Sequence, residues 1–290
     1  MTVRRRGHEA TVGCQPHTHL LTFYTIISGC ERGERQAWQA FLENYTPVAR
    51  RLLHLFTSSD DRETELWRRA LARLSAEQFR QLRTLEHRSE REFLFDLRWV
   101  LLEEARLEPG EDDPDSAPPP STLESLSALV AGHPLVHQEA ILLKLAGYSN
   151  STLERLLLIR PSVSERALEP LRANYSQLLA RKDDRCAWPA TWIQLVYAAR
   201  AAKTEACPGV RQFIRIQEGE LGWYEKEPAE KHLIECRHCL ADWTALRETK
   251  FWRVEAPAAP AEEIDALFSF LPVSRQDRRR KSLWARWLSG

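Results

Sequence analysis

The chain has 290 residues, 43% of them apolar, and its 41 basic and 41 acidic side chains cancel at neutral pH. That length accommodates two or three domains with real cores, and a net charge of zero excludes a global field of the kind that marks a nucleic-acid or membrane binder. Only 11 glycines, with long Leu/Arg/Glu/Ala-rich tracts and 10 tryptophans to bury, predict an all-α protein.

Residues 1–20 read as a loose, charged arm without the apolar run of a secretory signal. No window of about 18 uncharged apolar residues occurs, so no transmembrane helix is expected and the cytoplasm is the expected compartment. In that setting the 6 cysteines read as metal ligands or buried thiols rather than disulfides. From 21 to 108 the pattern is helical, through "AWQAFLENYTPVARRLLHLF", "ETELWRRALARL" and "EREFLFDLRWVLLEEARL". In the second of these Leu66, Ala70, Leu71 and Leu74 form one apolar stripe.

Residues 109–122 are an acidic, proline-rich linker with little to bury. The unit 123–183 opens with a helix ending at Gly147, continues with a short helix "STLERLLLI" and closes with "RPSVSERALEPLRANYSQLLA". The last is predicted to start at Ser162, with Glu165 completing a capping box, and the three together have helix-turn-helix geometry. Its inward set is Val163, Ala167, Leu168 and Leu171, which leaves Ser164, Glu165, Arg166, Glu169 and Pro170 outward. A third helical unit spans 186–253, and 254–290 is a proline-alanine hinge with a basic, Trp-rich tail.

The third unit carries the strongest chemical signal, His232-x3-Cys236-x2-Cys239. On one helix these residues fall at i, i+4 and i+7, along one face. Thiolate and imidazole are the ligands tetrahedral zinc prefers, and Cys207, followed at once by Pro208 and Gly209, supplies a fourth. The competing reading is a core stripe of His232 with two inert thiols. A second grouping, Cys14, His17, His19 and Cys30, is irregular in spacing, and Cys186 reads as core. A closed Cys3His zinc leaves no open coordination position, and no phosphate loop or Ser/His/Asp order is present. Neither an enzyme nor a small-molecule substrate is therefore expected.

Residues 21–180 resemble the extracytoplasmic-function (group IV) sigma factors of bacterial RNA polymerase. "WQAFLENYTPVARRLLHLF" looks like the opening helix of sigma region 2, "ETELWRRALARL" sits at its clamp-binding helix and "EFLFDLRWVLLEEAR" at its promoter-melting helix. "LVHQEAILLKLAGYSNSTLERLLLIRPSVSERAL" is similar to region 4, with "GYS" before the helix-turn-helix its clearest token. The pattern Cys207…His232-x3-Cys236-x2-Cys239 with "EGEL" between is similar to the zinc-binding anti-sigma domains, over roughly 200–250.

These resemblances imply a helical region 2-like module, a helix-turn-helix region 4-like module and a small zinc-binding bundle. They also imply Zn2+ as cofactor and core RNA polymerase and promoter DNA as partners. Polymerase contact is implied for Glu65, Leu66, Trp67, Arg68 and Arg69, and DNA backbone contact for Arg160, Arg166 and Arg172. The family's acidic-polar clamp run has become partly basic here, and Glu165, Glu169 and Pro170 stand on the face that would meet phosphate. Two functional readings therefore stand: a sigma-like regulator held in cis by its own zinc module, and a sigma fold that holds another regulator, such as a true sigma factor. For the tail, with Trp284 and Trp287 among arginines, the two readings are docking on the bundle and peripheral contact with a membrane surface.

Overall fold

The computed structural model describes residues 22–57, 59–84, 89–107, 121–179, 186, 188–271 and 273. The expected N-terminal arm, with Cys14, His17 and His19, lies outside the described residues, as do most of the acidic linker and the basic tail. The described chain is all-α, without a strand. Among the described residues no helix is long and apolar enough to cross a membrane.

Four helices form the first body: α1 (Phe23–Glu31), α2 (Arg35–Phe56), α3 (Asp60–Thr84) and α4 (Glu90–Leu107). The close approach of α1 to α2 needs Gly29, since a Cβ there would lie 2.4 Å from that of Ala37. Phe41, Tyr45 and Phe93 join α2 to α4 by edge-on ring contacts, with centroids 4.9 Å apart for Phe41–Tyr45 and for Tyr45–Phe93. The stripe Leu66, Ala70, Leu71 and Leu74 is buried as its spacing predicts. Trp67 is buried with it, and its Nε1 donates to Thr46 Oγ1 at 3.1 Å.

The second stretch contains α5 (Ser121–Val130), α6 (Leu135–Leu145), α7 (Asn150–Leu157), α8 (Pro161–Ala167), α9 (Glu169–Asn174) and α10 (Ser176–Leu179). Gly147 at φ 107° turns the chain out of α6, and Ser149 caps α7 by accepting from Thr152 N. The third helix of the expected helix-turn-helix differs from its prediction. Arg160 is the N-cap and Pro161 takes the first turn, so Ser162 forms no capping box. Ser164, placed outward by periodicity, is buried, and its one hydroxyl proton is shared between Pro161 O, at 2.8 Å, and a Glu154 carboxylate oxygen. The helix also breaks at Leu168: a continuous helix would drive the Pro170 ring into the Arg166 carbonyl, so α9 starts afresh with Pro170 in its first turn.

The third stretch is α11 (Pro189–Ala201), α12 (Val210–Gln217), α13 (Trp223–Glu235) and α14 (Arg237–Glu255), followed by α15 (Ala261–Phe270). The 19-residue α14 is the axis of the molecule, packed against α2 and α4 on one side and α6 and α7 on another. Helix α15, in sequence only a hinge and the start of a tail, lies on α2 through an ion pair of Arg50 with Glu263 at 2.8 Å. Arg35 lies over the Phe268 ring on the same face. Buried apolar side chains from all these stretches form one continuous core.

Candidate metal centre

The segment 204–239 folds so that its soft ligands converge. A turn closed by Cys207 N donating to Thr204 O at 3.1 Å presents the first thiol. Pro208 and Gly209 then start α12, Gly219 at φ 74° reverses the chain, and α13 returns with His232 in its last turn. Cys236 is extended, at φ −110° and ψ 110°, and divides α13 from α14. Cys239 occupies the first turn of α14. The three downstream ligands therefore do not share one helix face, as the i, i+4, i+7 spacing had suggested. A bent helix-helix corner brings them together instead.

The ligand atoms of Cys207, His232, Cys236 and Cys239 all lie within 4.8 Å of one another. Cys207 Sγ and Cys236 Sγ are 3.7 Å apart, far beyond the ~2.05 Å of a disulfide and suited to two ligands of one small cation. His232 Nε2 is buried with no hydrogen-bond partner among the described residues, an orphan that a metal ion would satisfy. Burial opposes ionisation of Cys207, but the hydroxyl and backbone N–H of Thr204 prevail and bring its thiol down to about 6. Burial and the neighbouring thiols push Cys239 the other way. This donor set can hold a metal ion and leaves it no free coordination position.

Behind the centre, on α14, His238 and Asp242 are both buried, with His238 Nε2 3.4 Å from Asp242 Oδ2. The sequence reading passed over this pair, although its i, i+4 spacing was visible. A second ligand-like group, His54, Asp60 and Glu63, shares its cleft with Arg50 and Arg51, which oppose a cation there. Cys30 is sealed in the first core and its thiol is pushed up by burial, so it is no ligand in this arrangement. Cys186 is buried, its thiol 3.2 Å from Leu145 O.

A polar lock joins the helices that carry this donor set to the rest. Arg98 Nε on α4 donates to Glu248 Oε2 on α14 at 2.5 Å, Tyr148 OH donates to the other carboxylate oxygen at 2.7 Å, and Trp252 Nε1 donates to Tyr148 OH at 2.8 Å. Arg211 on α12 reaches Glu92 at 2.7 Å, and Arg253 reaches Glu90 at 2.8 Å. On the other flank, Arg237 Nη1 donates to Ser127 Oγ at 2.7 Å and Gln138 Nε2 to Ile234 O at 3.1 Å.

The remaining predicted residues are dispersed. Of the five residues implied for polymerase contact, Leu66 and Trp67 are core and unavailable to a partner, leaving Glu65, Arg68 and Arg69 toward the surface. Arg69 lies 3.3 Å from Glu104. Arg160, Arg166 and Arg172 are exposed, but Arg172 is bonded to Glu169.

No family model matches the chain. No curated protein matches it, and no solved structure does.

Proposed function

We propose that the chain is a sigma-factor-like transcription regulator in which a zinc-binding, anti-sigma-type module holds two sigma-like parts closed in cis. The observation that carries this reading is the seat of α14. It leaves the metal centre at Cys239 and runs between α4 of the region 2-like part and α6–α7 of the region 4-like part, with Glu248 bonded to Arg98 on one and Tyr148 on the other. The ion is Zn2+. Three thiolates and an imidazole are its preferred closed set, and a tetrahedron with ~2.3 Å metal–sulfur bonds has sulfurs ~3.8 Å apart, close to the 3.7 Å between Cys207 and Cys236. The ion is structural: it ties the turn before α12 to the α13–α14 corner. The regulator works in the cytoplasm, with core RNA polymerase as its partner and no catalytic step of its own.

Binding to core RNA polymerase tests this reading, comparing the full chain with a truncation ending near Lys182 and with Glu248→Ala in the full chain. Binding by the opened forms alone is the expected result. Equal binding by the full chain removes the brake.

A second reading is favoured by the exposed Glu165 and Glu169 beside Arg166 and Arg172 and by the burial of Leu66 and Trp67. In it the sigma fold no longer reads promoters and holds another regulator instead. It gains if no form binds polymerase and a promoter-DNA shift assay with residues 123–183 shows no salt-sensitive, sequence-dependent complex.

A further inference from the structure

A cavity of about 200 Å³ lies where α4, α5, α6, α11 and the α13–α14 corner meet. Protein interiors seldom leave voids much larger than a water, and an apolar cavity of ~150 Å³ already binds benzene. The space exists because small side chains stand where larger ones would fill it, Ala199 on α11 and Ala241 on α14 among them. Val130, Leu142, Trp192 and Leu240 supply apolar wall.

One wall is charged. Arg98 lines the cavity and is 4% exposed. Its Nε is taken by Glu248, while its two Nη groups have no acceptor among the described residues. Buried guanidinium donors left unmatched are costly, yet these are not among the side-chain atoms sealed from solvent without a partner. The space beside them is the cavity. Because Glu248 already balances the charge of Arg98, what those donors lack is an acceptor rather than an anion.

We propose that this cavity is a binding site for a small uncharged molecule with an apolar or aromatic body and one carbonyl or hydroxyl oxygen, the oxygen accepting from Arg98 and the body resting on Trp192, Leu142 and Leu240. A molecule seated there touches α4, α6, α11 and α14 together. At the mouth it also meets Ile234, Glu235 and Arg237, the neighbours of Cys236. The site stands whether or not the chain engages polymerase.

The test uses the full chain and three probes of similar size: acetophenone, ethylbenzene, which lacks the acceptor, and benzoate, which carries a charge. Binding is followed by amide chemical-shift changes and by the melting temperature. Acetophenone is expected to bind saturably, about tenfold more tightly than ethylbenzene, a difference of about 1.4 kcal/mol, and benzoate more weakly than acetophenone. Ala199→Phe and, separately, Ala241→Leu fill the space, and each is expected to abolish acetophenone binding while keeping the wild-type fold. Two fillings guard against one variant failing to fold. Unsaturable acetophenone binding, equal binding of ethylbenzene, tighter binding of benzoate, or undiminished binding by a folded filled variant would each overturn the proposal.

Discussion

Arg98 and Glu248 stand 150 positions apart in sequence and meet at 2.5 Å, with side chains 5% and 2% exposed. Both oxygens of Glu248 are served, one by Arg98 and one by Tyr148, whose hydroxyl burial and the adjacent carboxylate keep protonated and therefore able to donate. Such a pair resists disruption because either partner left alone is an uncompensated buried charge. Glu248→Ala is expected to cost about 3–5 kcal/mol, read as a lower urea midpoint at unchanged slope. The double replacement Arg98→Met with Glu248→Leu removes both charges and is expected to recover most of that loss. A cost below about 1 kcal/mol for Glu248→Ala would place that pair with exposed ones.

The metal centre predicts a different failure. Cys236 is the candidate ligand in extended backbone between α13 and α14, so Cys236→Ser removes one donor sulfur without disturbing a helix interior. Metal analysis of purified protein is expected to find stoichiometric zinc in the wild type and none in the variant. Chelation is expected to loosen the 204–239 segment first, seen as faster amide exchange there than in α2 or α4. Stoichiometric zinc retained by Cys236→Ser would sink the assignment.

Much of this arrangement was legible because it follows local periodicity. The all-α class came from composition, and the stripe Leu66–Leu74 from its spacing. The four residues that converge were picked out by residue type, since thiols and an imidazole at short intervals suit a metal ion. Their geometry was not: periodicity assumes a continuous helix, and Cys236 breaks it. Ser162 was misread for a related reason, because Pro161 has no N–H to lose and suits the first turn better than a capping serine one residue later. The lock of Arg98, Tyr148, Glu248 and Trp252 was invisible, as no periodic pattern relates residues 100 or more positions apart. Helix α15 hid behind the prolines that introduce it, being only 10 residues long.

Leu158 offers a purely local prediction. It ends α7 at φ 56° and ψ 43°, a left-handed conformation that costs a side-chain-bearing residue roughly 1–2 kcal/mol. Its side chain is 90% exposed, so little packing holds it there. Leu158→Gly relieves the strain, and part of the gain is lost to the greater freedom of glycine in the unfolded chain. A net stabilisation of up to about 1 kcal/mol is expected, against destabilisation for the same change at Leu157, which is buried. A loss of stability on Leu158→Gly would show that the exposed leucine is held by a contact of its own.

Glu139 makes stability depend on pH. It is buried on α6, facing Trp243 and Arg247 of α14. Arg247 Nε lies 3.2 Å from its Oε1, but the approach is not that of a hydrogen bond, and Oε1 has no hydrogen-bond partner among the described residues. Proximity without alignment leaves desolvation dominant, so the carboxyl is pushed up from 4.5 to about 7 despite Arg247 and Trp243. An acid whose folded pKa exceeds its unfolded one holds more protons folded than unfolded. Its contribution is intact below pH ~4.5, is lost as pH rises toward ~7, and stays lost above. The full span is roughly 3 kcal/mol. Glu139→Gln keeps the shape without the ionisation. Its melting temperature is therefore expected to gain on the wild type steadily between pH 5 and 7.5, the difference levelling off above. A constant difference across that range would mean that Glu139 is ionised against Arg247 throughout, and that the α6–α14 contact is an ordinary buried ion pair.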